Sequence, residues 1–365
     1  MFMSKVAIVY LVWSNEPEKY LVRALEGVVA QTYAKENLHL LVVYNSHKPD
    51  EASQLPFIQS EIEKMKERLP NVTILPQEKN IGFSGGNNLG MRWAMDNGFD
   101  YVFLHNADGY LDGRAIEEMV KAMDNDEKIG QAQAMVLLHP EKHLVNTTGN
   151  SLHYLNIGCC SAFRQPISEQ KLDPIYEVGY VSGAATLMRT DLLRKHGLWC
   201  EDFFMYHEDT EYSLRLKIRG YKTVAVRDAI FFHEYNFSKN VQKFFWIERN
   251  RYVLKYLFYR WPTIILTLPI EILYNLGLVA IAIKNHWLKE LGKVYAYWLK
   301  PKNWQTWKAM RKKNMEERLL SDRTLIGWAE NTVEMADMVV PAPIKLAADT
   351  VFTIYYYLLK ILVWW

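Results

Sequence analysis

Short apolar runs alternate along the first half of the chain with longer segments in which apolar residues recur every three or four positions. A run of about four to eight apolar residues is typical of a buried strand, and the longer repeat is typical of a helix. The pattern predicts strands at residues 6–12, 39–45, 72–75, 101–106 and 131–138, and helices at residues 19–31, 60–69, 90–98 and 113–126. This alternation predicts an α/β fold with a mostly parallel, doubly wound sheet and helices on both faces.

The middle of the chain is less regular. Residues 146–175 are polar without a clear period, so we predict an excursion from the sheet there. Residues 178–189 are predicted to form a strand that turns at Ser182 and Gly183 and leads to a short helix. A helix is predicted to begin at the acidic pair Glu208 and Asp209, and residues 222–234 add one or two late strands.

The composition changes after about residue 250, which predicts an α/β domain at residues 1–250 and a helical region at residues 251–365. Residues 263–283 are almost long and apolar enough to span a bilayer, but they contain Glu271 and the helix breakers Pro269 and Gly277. Such a segment fits an interfacial or re-entrant helix better. Residues 284–318 interleave Trp with Lys and Arg, which is typical of a headgroup interface. Residues 345–365 predict a helix with a broad apolar face, for membrane contact or for packing and dimerisation.

The overall composition excludes little. The net charge is only +2, which gives no signal for binding nucleic acid or another polyanion. The three cysteines form no disulfide pattern and fit a reducing compartment. The N-terminal segment matches a first strand and lacks the small-residue cleavage site of a signal peptide. We therefore expect a cytoplasmic protein, peripheral on the inner face of the cell membrane.

The acidic pair Glu208–Asp209 is the first candidate for chemistry. A carboxylate in the first turn of a helix is held by free backbone N–H groups and by the helix dipole. That placement suits a general base that removes a proton from a hydroxyl. The alternative is that the pair merely caps its helix.

Two upstream segments add further candidates. Residues 80–90, NIGFSGGNNLG, form a Gly- and Asn-rich stretch between a strand and a helix, which indicates either a strained turn or a loop against a phosphate or sugar. Residues 101–112, YVFLHNADGYLD, end a buried strand with Asn106 and Asp108. Ligands of open α/β sheets bind beyond the carboxyl ends of strands, so Asp108 could hold a divalent cation. An Asx turn is the alternative there.

The order of these segments resembles the inverting family-2 glycosyltransferases with a GT-A fold, in particular bacterial rhamnosyltransferase-like members. The resemblance covers about residues 5–255 and includes the segments 80–88, 103–108, 183–209, 231–238 and 246–252. It implies a GT-A fold, which is a Rossmann-like, mostly parallel sheet.

The resemblance also implies roles for single residues. Asp108 would bind the Mg²⁺ or Mn²⁺ that bridges the donor diphosphate, with His233 as a second ligand. Asp209 would be the catalytic base, with Glu208 beside it. The remaining site residues implied are donor-binding: Asn45, Gly85, Gly86, Asn87, Asn106, and Arg249 and Arg251 near phosphate.

The chain departs from the family pattern at three positions. Tyr44 stands where the family usually has an aspartate before Asn45, which affects nucleotide recognition. The metal motif has Asn106 in place of a first carboxylate. Cys200 stands where an aspartate is common, and we assign it no role.

The function implied is a metal-dependent inverting transfer of a sugar, with rhamnose as one candidate, from a nucleotide-diphosphate sugar. The acceptor would be a hydroxyl of a glycan or of a lipid-linked molecule in cell-surface polysaccharide synthesis, at a membrane surface, and a homo-oligomer is left open. Two alternatives compete with it. A nucleotidyltransferase on a similar sheet would need an N-terminal Gly-rich basic loop, which is absent from the first strand's end. A non-catalytic membrane-anchored scaffold would not need the intact acidic pair.

Overall fold

The computed structural model describes residues 3–14, 16–45, 52–235, 241–333 and 342–365. Within these residues ten strands form one mixed sheet and two more form a hairpin. The last three residues of the segment 231–238 lie outside the described part. The strands are β1 (Val6–Val12), β2 (Leu38–Tyr44), β3 (Asn71–Pro76), β4 (Tyr101–Asn106), β5 (Gly109–Leu111), β6 (Ile129–Leu138), β7 (Val145–Thr147), β8 (Asn150–Leu152), β9 (Gly158–Cys160), β10 (Ile175–Glu177), β11 (Ala185–Arg189) and β12 (Lys222–His233).

The strand order of the sheet is β10-β12-β6-β11-β4-β1-β2-β3, with β5 and β7 beside β12 and β6. Strands β3, β2, β1 and β4 are parallel, and β6 is parallel to β12. Strand β11 runs antiparallel to both β4 and β6. The carboxyl ends of β4, β6 and β12 and the amino end of β11 therefore lie on the same side, which we call the carboxyl end of the sheet. The predicted mostly parallel α/β sheet is confirmed.

Helices cover both faces of the sheet because its central strands are buried on both faces. In β1, Val6, Ile8 and Tyr10 pack with α1, α2 and α4, whereas Ala7 and Val9 pack with α3, α5 and α6. The helices are α1 (Glu18–Val29), α2 (Leu55–Met65), α3 (Gly82–Asp96), α4 (Ala115–Asn125), α5 (Thr190–His196), α6 (Glu208–Lys217), α7 (Val241–Phe258), α8 (Trp261–Leu266), α9 (Leu268–Lys284), α10 (Leu288–Trp298), α11 (Pro301–Glu317), α12 (Asp322–Gly327) and α13 (Ala342–Leu362).

The C-terminal helices share a core with the middle of the chain. Tyr154, Phe203 and Leu214 pack in one apolar cluster with residues of α7 to α13, including Trp307 and Leu359. The predicted boundary at residues 250 and 251 falls inside α7. The C-terminal region is therefore helical, as predicted, and is built onto the α/β domain.

Several predicted elements differ from the structure. Helix α2 begins at Leu55 and α3 at Gly82, five and eight residues before their predicted starts at 60 and 90. The predicted strand at residues 178–189 is reduced to β11, which starts at Ala185. The apolar run at residues 263–283 is divided between α8 and α9. Among the described helices, none combines the length and apolar character that crossing a bilayer requires.

Candidate functional site

Asp108 and His233 meet at the carboxyl end of the sheet. Asp108 follows β4, and its Oδ1 lies 2.8 Å from Nε2 of His233, the last residue of β12. The short strand β5 pairs with the end of β12, so Gly109 lies opposite His233. A Cβ at Gly109 would lie only 2.1 Å from the Phe231 ring, so glycine allows this close pairing. Asn106 Nδ2 also donates to Asp108 Oδ1, at 2.6 Å.

The hydrogen bonds of His233 fit a cation ligand. Its Nδ1 lies 2.9 Å from the Oδ1 of Asn146, an acceptor, so the tautomer with the proton on Nδ1 satisfies this contact. In the neutral ring Nε2 then has its lone pair directed toward Asp108, the arrangement that metal-binding histidines show. Two electron-rich atoms facing each other are stabilised by a proton or a metal ion between them. Within the described residues no cluster of three or more His, Cys, Asp and Glu side chains exists, so a metal here would need ligands from a bound molecule.

Asp209 is the second residue of α6, as the sequence predicts. Its Oδ2 accepts a hydrogen bond from the Gly183 backbone N–H at 2.9 Å, and its Oδ1 accepts one from the Thr210 N–H at 2.6 Å. Burial raises the pKa of Asp209, and the hydrogen bonds from Gly183 and Thr210 oppose that rise. The residue as a whole is half-buried, unlike its neighbour Glu208, which is buried.

Glu208 has a different environment from its neighbour. Its side chain is buried, and its Oε2 has no hydrogen-bond partner. Burial, and next the charge of Asp209, raise the pKa of Glu208 well above its usual value. Two adjacent buried carboxyl groups do not both ionise readily, and the one with more donors keeps the charge. Glu208 is therefore the protonated member and Asp209 the ionised one.

A short path of hydrogen bonds connects Asp209 to Asp108. Gly183 donates to Asp209, and the next residue, Ala184, accepts at its carbonyl from the backbone N–H of Asn106 at 2.9 Å. Asn106 in turn donates through its side chain to Asp108. The start of α6, the approach to β11 and the end of β4 thus bring the predicted base and the predicted metal ligands to one side of the sheet.

The loop before Asp209 has a strained backbone. Phe204, Tyr206 and His207 have φ values of 63°, 66° and 68°, which non-glycine residues rarely adopt. Asn250 on α7 holds this loop: its Nδ2 donates to the carbonyls of Phe203, Met205 and Tyr206 at 3.1, 2.9 and 2.7 Å. Strain of this kind persists where the surrounding structure enforces it, and it is concentrated at functional sites. Sequence reasoning missed Asn250, although it lies in the segment 246–252 that contributed to the resemblance.

The glycine-rich segment is helical rather than a loop. Gly85, Gly86 and Asn87 lie in the first two turns of α3 and are buried. A Cβ at Gly86 would lie 2.5 Å from Leu11 Cδ1, so the missing side chain lets α3 approach β1. Asn87 Nδ2 donates to the Phe83 carbonyl at 3.0 Å. Helix packing explains these residues, and their contact with a donor stays a prediction.

Asn45 connects the end of β2 to the start of α3. Its Nδ2 donates to the Gly82 carbonyl and its Oδ1 accepts from the Ile81 N–H, each at 3.1 Å. Only 4% of the residue is exposed, so the amide is largely used within the protein. Contact of Asn45 with a nucleotide stays a prediction.

Arg249 and Arg251 lie on α7 and are buried in the protein interior. Arg249 donates to the Asp202 carbonyl at 2.8 Å and lies over the Trp246 ring. Arg251 forms ion pairs with Glu248 and Glu271 at 2.9 and 2.7 Å. These contacts give both arginines a structural role, and their contact with phosphate stays a prediction.

Comparison with known families identifies the chain. A family model described as "Glycosyltransferase like family 2" matches residues 6–253, which is more than half of the chain. The chain belongs to glycosyltransferase family 2. No curated protein sequence matches this glycosyltransferase.

Two solved structures are similar to this family-2 glycosyltransferase in fold. The crystal structure of GalNAc-T7 with UDP, GalNAc and Mn²⁺ has a TM-score of 0.57 and 13% identity over 70% of this chain and 49% of that one. The chain thus spans about half the length of that protein. The mannosyltransferase PcManGT from Pyrobaculum calidifontis, in complex with GDP-Man and Mn²⁺, has a TM-score of 0.50 and 12% identity, covering 99% of this chain and 88% of that one. At these identities the likeness shows the fold, which agrees with the predicted GT-A architecture.

One further acidic residue of this family-2 glycosyltransferase lies close to Asp108. Glu16 follows β1, and its pKa is raised to about 7, first by burial and then by the charge of Asp108. The carboxyl groups of Glu16 and Asp108 are therefore close enough to interact. Sequence reasoning missed Glu16, and the available signal was its position four residues after the end of the first predicted strand.

Proposed function

We propose that this family-2 glycosyltransferase moves a sugar from a nucleotide-diphosphate donor to a hydroxyl group, with inversion at the anomeric carbon. The observation that carries the proposal is the hydrogen-bonded path that joins Asp209 to Asn106, Asp108 and His233. It brings a candidate base and a candidate diphosphate-binding group to the same side of the sheet. The family match supports glycosyl transfer over the nucleotidyltransferase and scaffold alternatives.

Asp108 and His233 would hold a Mg²⁺ or Mn²⁺ ion together with oxygens of the donor diphosphate. Hard cations accept carboxylate oxygens and imidazole suits Mn²⁺, so the two side chains fit the ion. When bound, the cation would neutralise charge on the departing diphosphate. Both similar structures contain Mn²⁺ with a nucleotide or nucleotide sugar, which supports the same kind of cofactor here.

Asp209 acts as the base of a single displacement. Its ionised carboxylate takes the proton from the acceptor hydroxyl while that oxygen attacks the anomeric carbon. The hydrogen bonds from Gly183 and Thr210 fix the carboxylate, and Glu208 stays protonated beside it. One base is sufficient for inversion, because no covalent intermediate has to be resolved by a second carboxylate.

The donor sugar and the acceptor are finer parts of the proposal. The rhamnosyltransferase-like order of segments supports dTDP-rhamnose, with UDP-hexoses as competitors. The basic and aromatic C-terminal region supports a glycan or lipid-linked acceptor at the inner face of the cell membrane, in cell-surface polysaccharide synthesis.

The test is a nucleotide-sugar panel with Mn²⁺, followed by Asp209→Asn. Release of nucleoside diphosphate identifies the donor, and Asp209→Asn should then lower the rate about 10³-fold while donor binding, read by thermal shift, is kept. Asp191→Asn is the matched control. Asp191 is also the second residue of a helix, α5, but it is exposed and follows the end of β11 opposite to Gly183. Wild-type turnover by Asp209→Asn would refute the role of Asp209.

A further inference from the structure

Helices α8 and α9 expose an apolar face. On α9, Ile272 and Leu276 are 59% and 61% exposed, and Ile265 on α8 is 59% exposed. The opposite face of α9, with Tyr274 and Leu278, is buried in the C-terminal core. A surface helix of a soluble protein normally presents charged and polar residues to water on its outer face. The outer face of α8 and α9 is apolar instead, which indicates that another apolar phase covers it.

Helix α13 exposes a second apolar face. Ile354 and Ile361 are 66% and 77% exposed, and Leu358 lies between them on the same side. Phe352 and Leu359 form the inner face and pack in the same core as α9. The helix is therefore apolar on both its inner and outer faces.

The two faces belong to one surface. Tyr355 on α13 donates through its hydroxyl to the Leu266 carbonyl at the end of α8, at 2.6 Å. Trp365, just after α13, donates to Thr263 on α8 at 3.0 Å. Because these hydrogen bonds join α13 to α8 and α9 follows α8 directly, we call the outer faces of the three helices together the apolar surface, defined by Ile265, Ile272, Leu276, Ile354, Leu358 and Ile361.

Cations and indole rings lie at the ends of these helices. Arg260 precedes α8, Lys284 ends α9 and Lys360 lies near the end of α13, and all three are exposed. Trp261 and Trp364 are 53% and 75% exposed. The acidic residue of α8 and α9, Glu271, is buried in ion pairs, so these helices direct no negative charge outward. An apolar face bordered by basic and Trp side chains is typical of a helix lying in a bilayer interface.

We propose that the apolar surface docks this glycosyltransferase onto a bilayer that contains anionic lipid, with α9 and α13 lying along the membrane. A second copy of the chain fits less well, because a two-fold dimer through this surface would bring like cations together. An anionic headgroup layer instead complements Arg260, Lys284 and Lys360.

Buried ion pairs and hydrogen bonds connect the apolar surface to the strained loop before Asp209. Glu271 on α9 pairs with Arg251 and Lys255 on α7, and all three are buried. On α7, Asn250 holds the strained loop before Asp209. Docking would therefore fix the carboxyl end of the sheet relative to the bilayer. This last consequence rests on the proposed function, whereas the docking itself does not.

The experiment is flotation of the full chain with phosphatidylcholine vesicles that contain or lack phosphatidylglycerol. We expect binding to the anionic vesicles that weakens at high salt. Ile272→Glu and Ile361→Glu should each weaken vesicle partitioning about tenfold or more, because each places a charge in the apolar interface. Ile175→Glu is the matched control, because Ile175 is 42% exposed on β10, outside the apolar surface, and should bind as wild type.

The outcomes are decisive without a sugar-transfer assay. Wild-type chain that remains unbound to anionic vesicles, or variants that float as well as wild type, would overturn docking. A wild-type dimer in light scattering that Ile272→Glu converts to a monomer, with vesicle binding unchanged, would assign the surface to a second copy. Equal thermal unfolding of the variants and wild type confirms that the chain stays folded, and the salt dependence of the wild type tests docking independently of any variant.

Discussion

At the scale of single residues, hydrogen bonds decide which carboxyl group can work as a base. Glu208 and Asp209 are neighbours in the chain, and burial raises the pKa of both. Asp209 accepts hydrogen bonds from Gly183 and Thr210, which stabilise its charged form. The Oε2 atom of Glu208 accepts no hydrogen bond, so nothing there stabilises a negative charge and the carboxyl group keeps its proton. The two roles follow from geometry that adjacent letters in a sequence do not reveal.

The pH dependence of transfer tests this assignment. Asp209 works only when ionised, and burial places its pKa above the usual aspartate value. We expect kcat/KM, measured at saturating Mn²⁺, to fall as the pH drops through that raised pKa and to be constant above it. Glu208→Gln replaces a neutral, protonated carboxyl group by a neutral amide. It should therefore leave the fall of kcat/KM at low pH in place. A flat profile in the wild type would contradict the role of Asp209.

Asp108 carries the second prediction at this scale. We expect Asp108→Ala to abolish the increase in nucleoside-diphosphate affinity that Mn²⁺ produces in the wild type, because the ion loses a protein ligand. Isothermal titration with and without Mn²⁺ measures the change. Asp112→Ala is the control, since Asp112 is exposed and only four residues away. The same Mn²⁺ effect in Asp108→Ala and wild type would exclude the metal role.

At the scale of elements, close packing of α3 against β1 positions the site. The Phe83 and Ser84 N–H groups at the start of α3 donate to the Phe204 carbonyl, so the strained loop caps this helix. Gly90 lies about two turns further along α3, where a Cβ would be 2.4 Å from Val9 Cγ1. Valine is β-branched and cannot easily turn away. The glycine content of this segment is thus a packing requirement.

A pair of glycine substitutions tests that requirement. Gly90→Ala should lower the free energy of unfolding by about 1–3 kcal/mol, because the added methyl group overpacks the interface with Val9. Gly292→Ala, in α10, should raise it by up to about 1 kcal/mol, since nothing lies within 4 Å and alanine favours the helix. Urea unfolding of both variants measures the difference. Equal stability of the two would mean that α3 can shift freely away from β1.

At the scale of the whole molecule, buried ion pairs attach the C-terminal helices to the rest of the chain. Glu271 on α9 lies between Arg251 and Lys255 on α7. Burial alone would raise the pKa of Glu271, but these two cations outweigh burial and lower it to about 2. A charge triad of this kind is costly to desolvate, yet it fixes how its helices fit together.

Removing the carboxylate of Glu271 should lower the free energy of unfolding by a large amount. Glu271→Gln should destabilise the chain by about 3–5 kcal/mol near neutral pH, because Lys255 stays buried without a counter-charge and Arg251 keeps only Glu248. In the wild type this contribution is present above the usual glutamate pKa and is lost as the pH falls through about 2. The variant should therefore lose less stability on acidification. Glu290→Gln, which breaks the surface pair with Lys293, should cost below about 1 kcal/mol, and a similar loss in both variants would contradict the triad's importance.

The sequence predicted the parallel strands β1, β2 and β4 well, because each is a mostly apolar run that is buried on both faces. It predicted the start of α3 poorly, because glycine and asparagine are weak helix formers. The helix begins at Gly82 because Phe204 and Asn45, both distant in sequence, supply its terminal hydrogen bonds. The sequence also did not show that the arginines of α7 contact carboxylates and carbonyls within the protein.

The amino-acid sequence by itself determined the α/β alternation, the acidic pair that opens α6 and the placement of Asp108 at the end of a strand, since these depend on local periodicity and strand termini. Only the tertiary structure decided that His233 contacts Asp108 across 125 residues, that Glu16 lies close to Asp108, and that Asn250 holds the loop before Asp209. It also decided which faces of α9 and α13 remain exposed. Strand pairing and helix docking set these relations, and both arise from contacts between residues far apart in the chain.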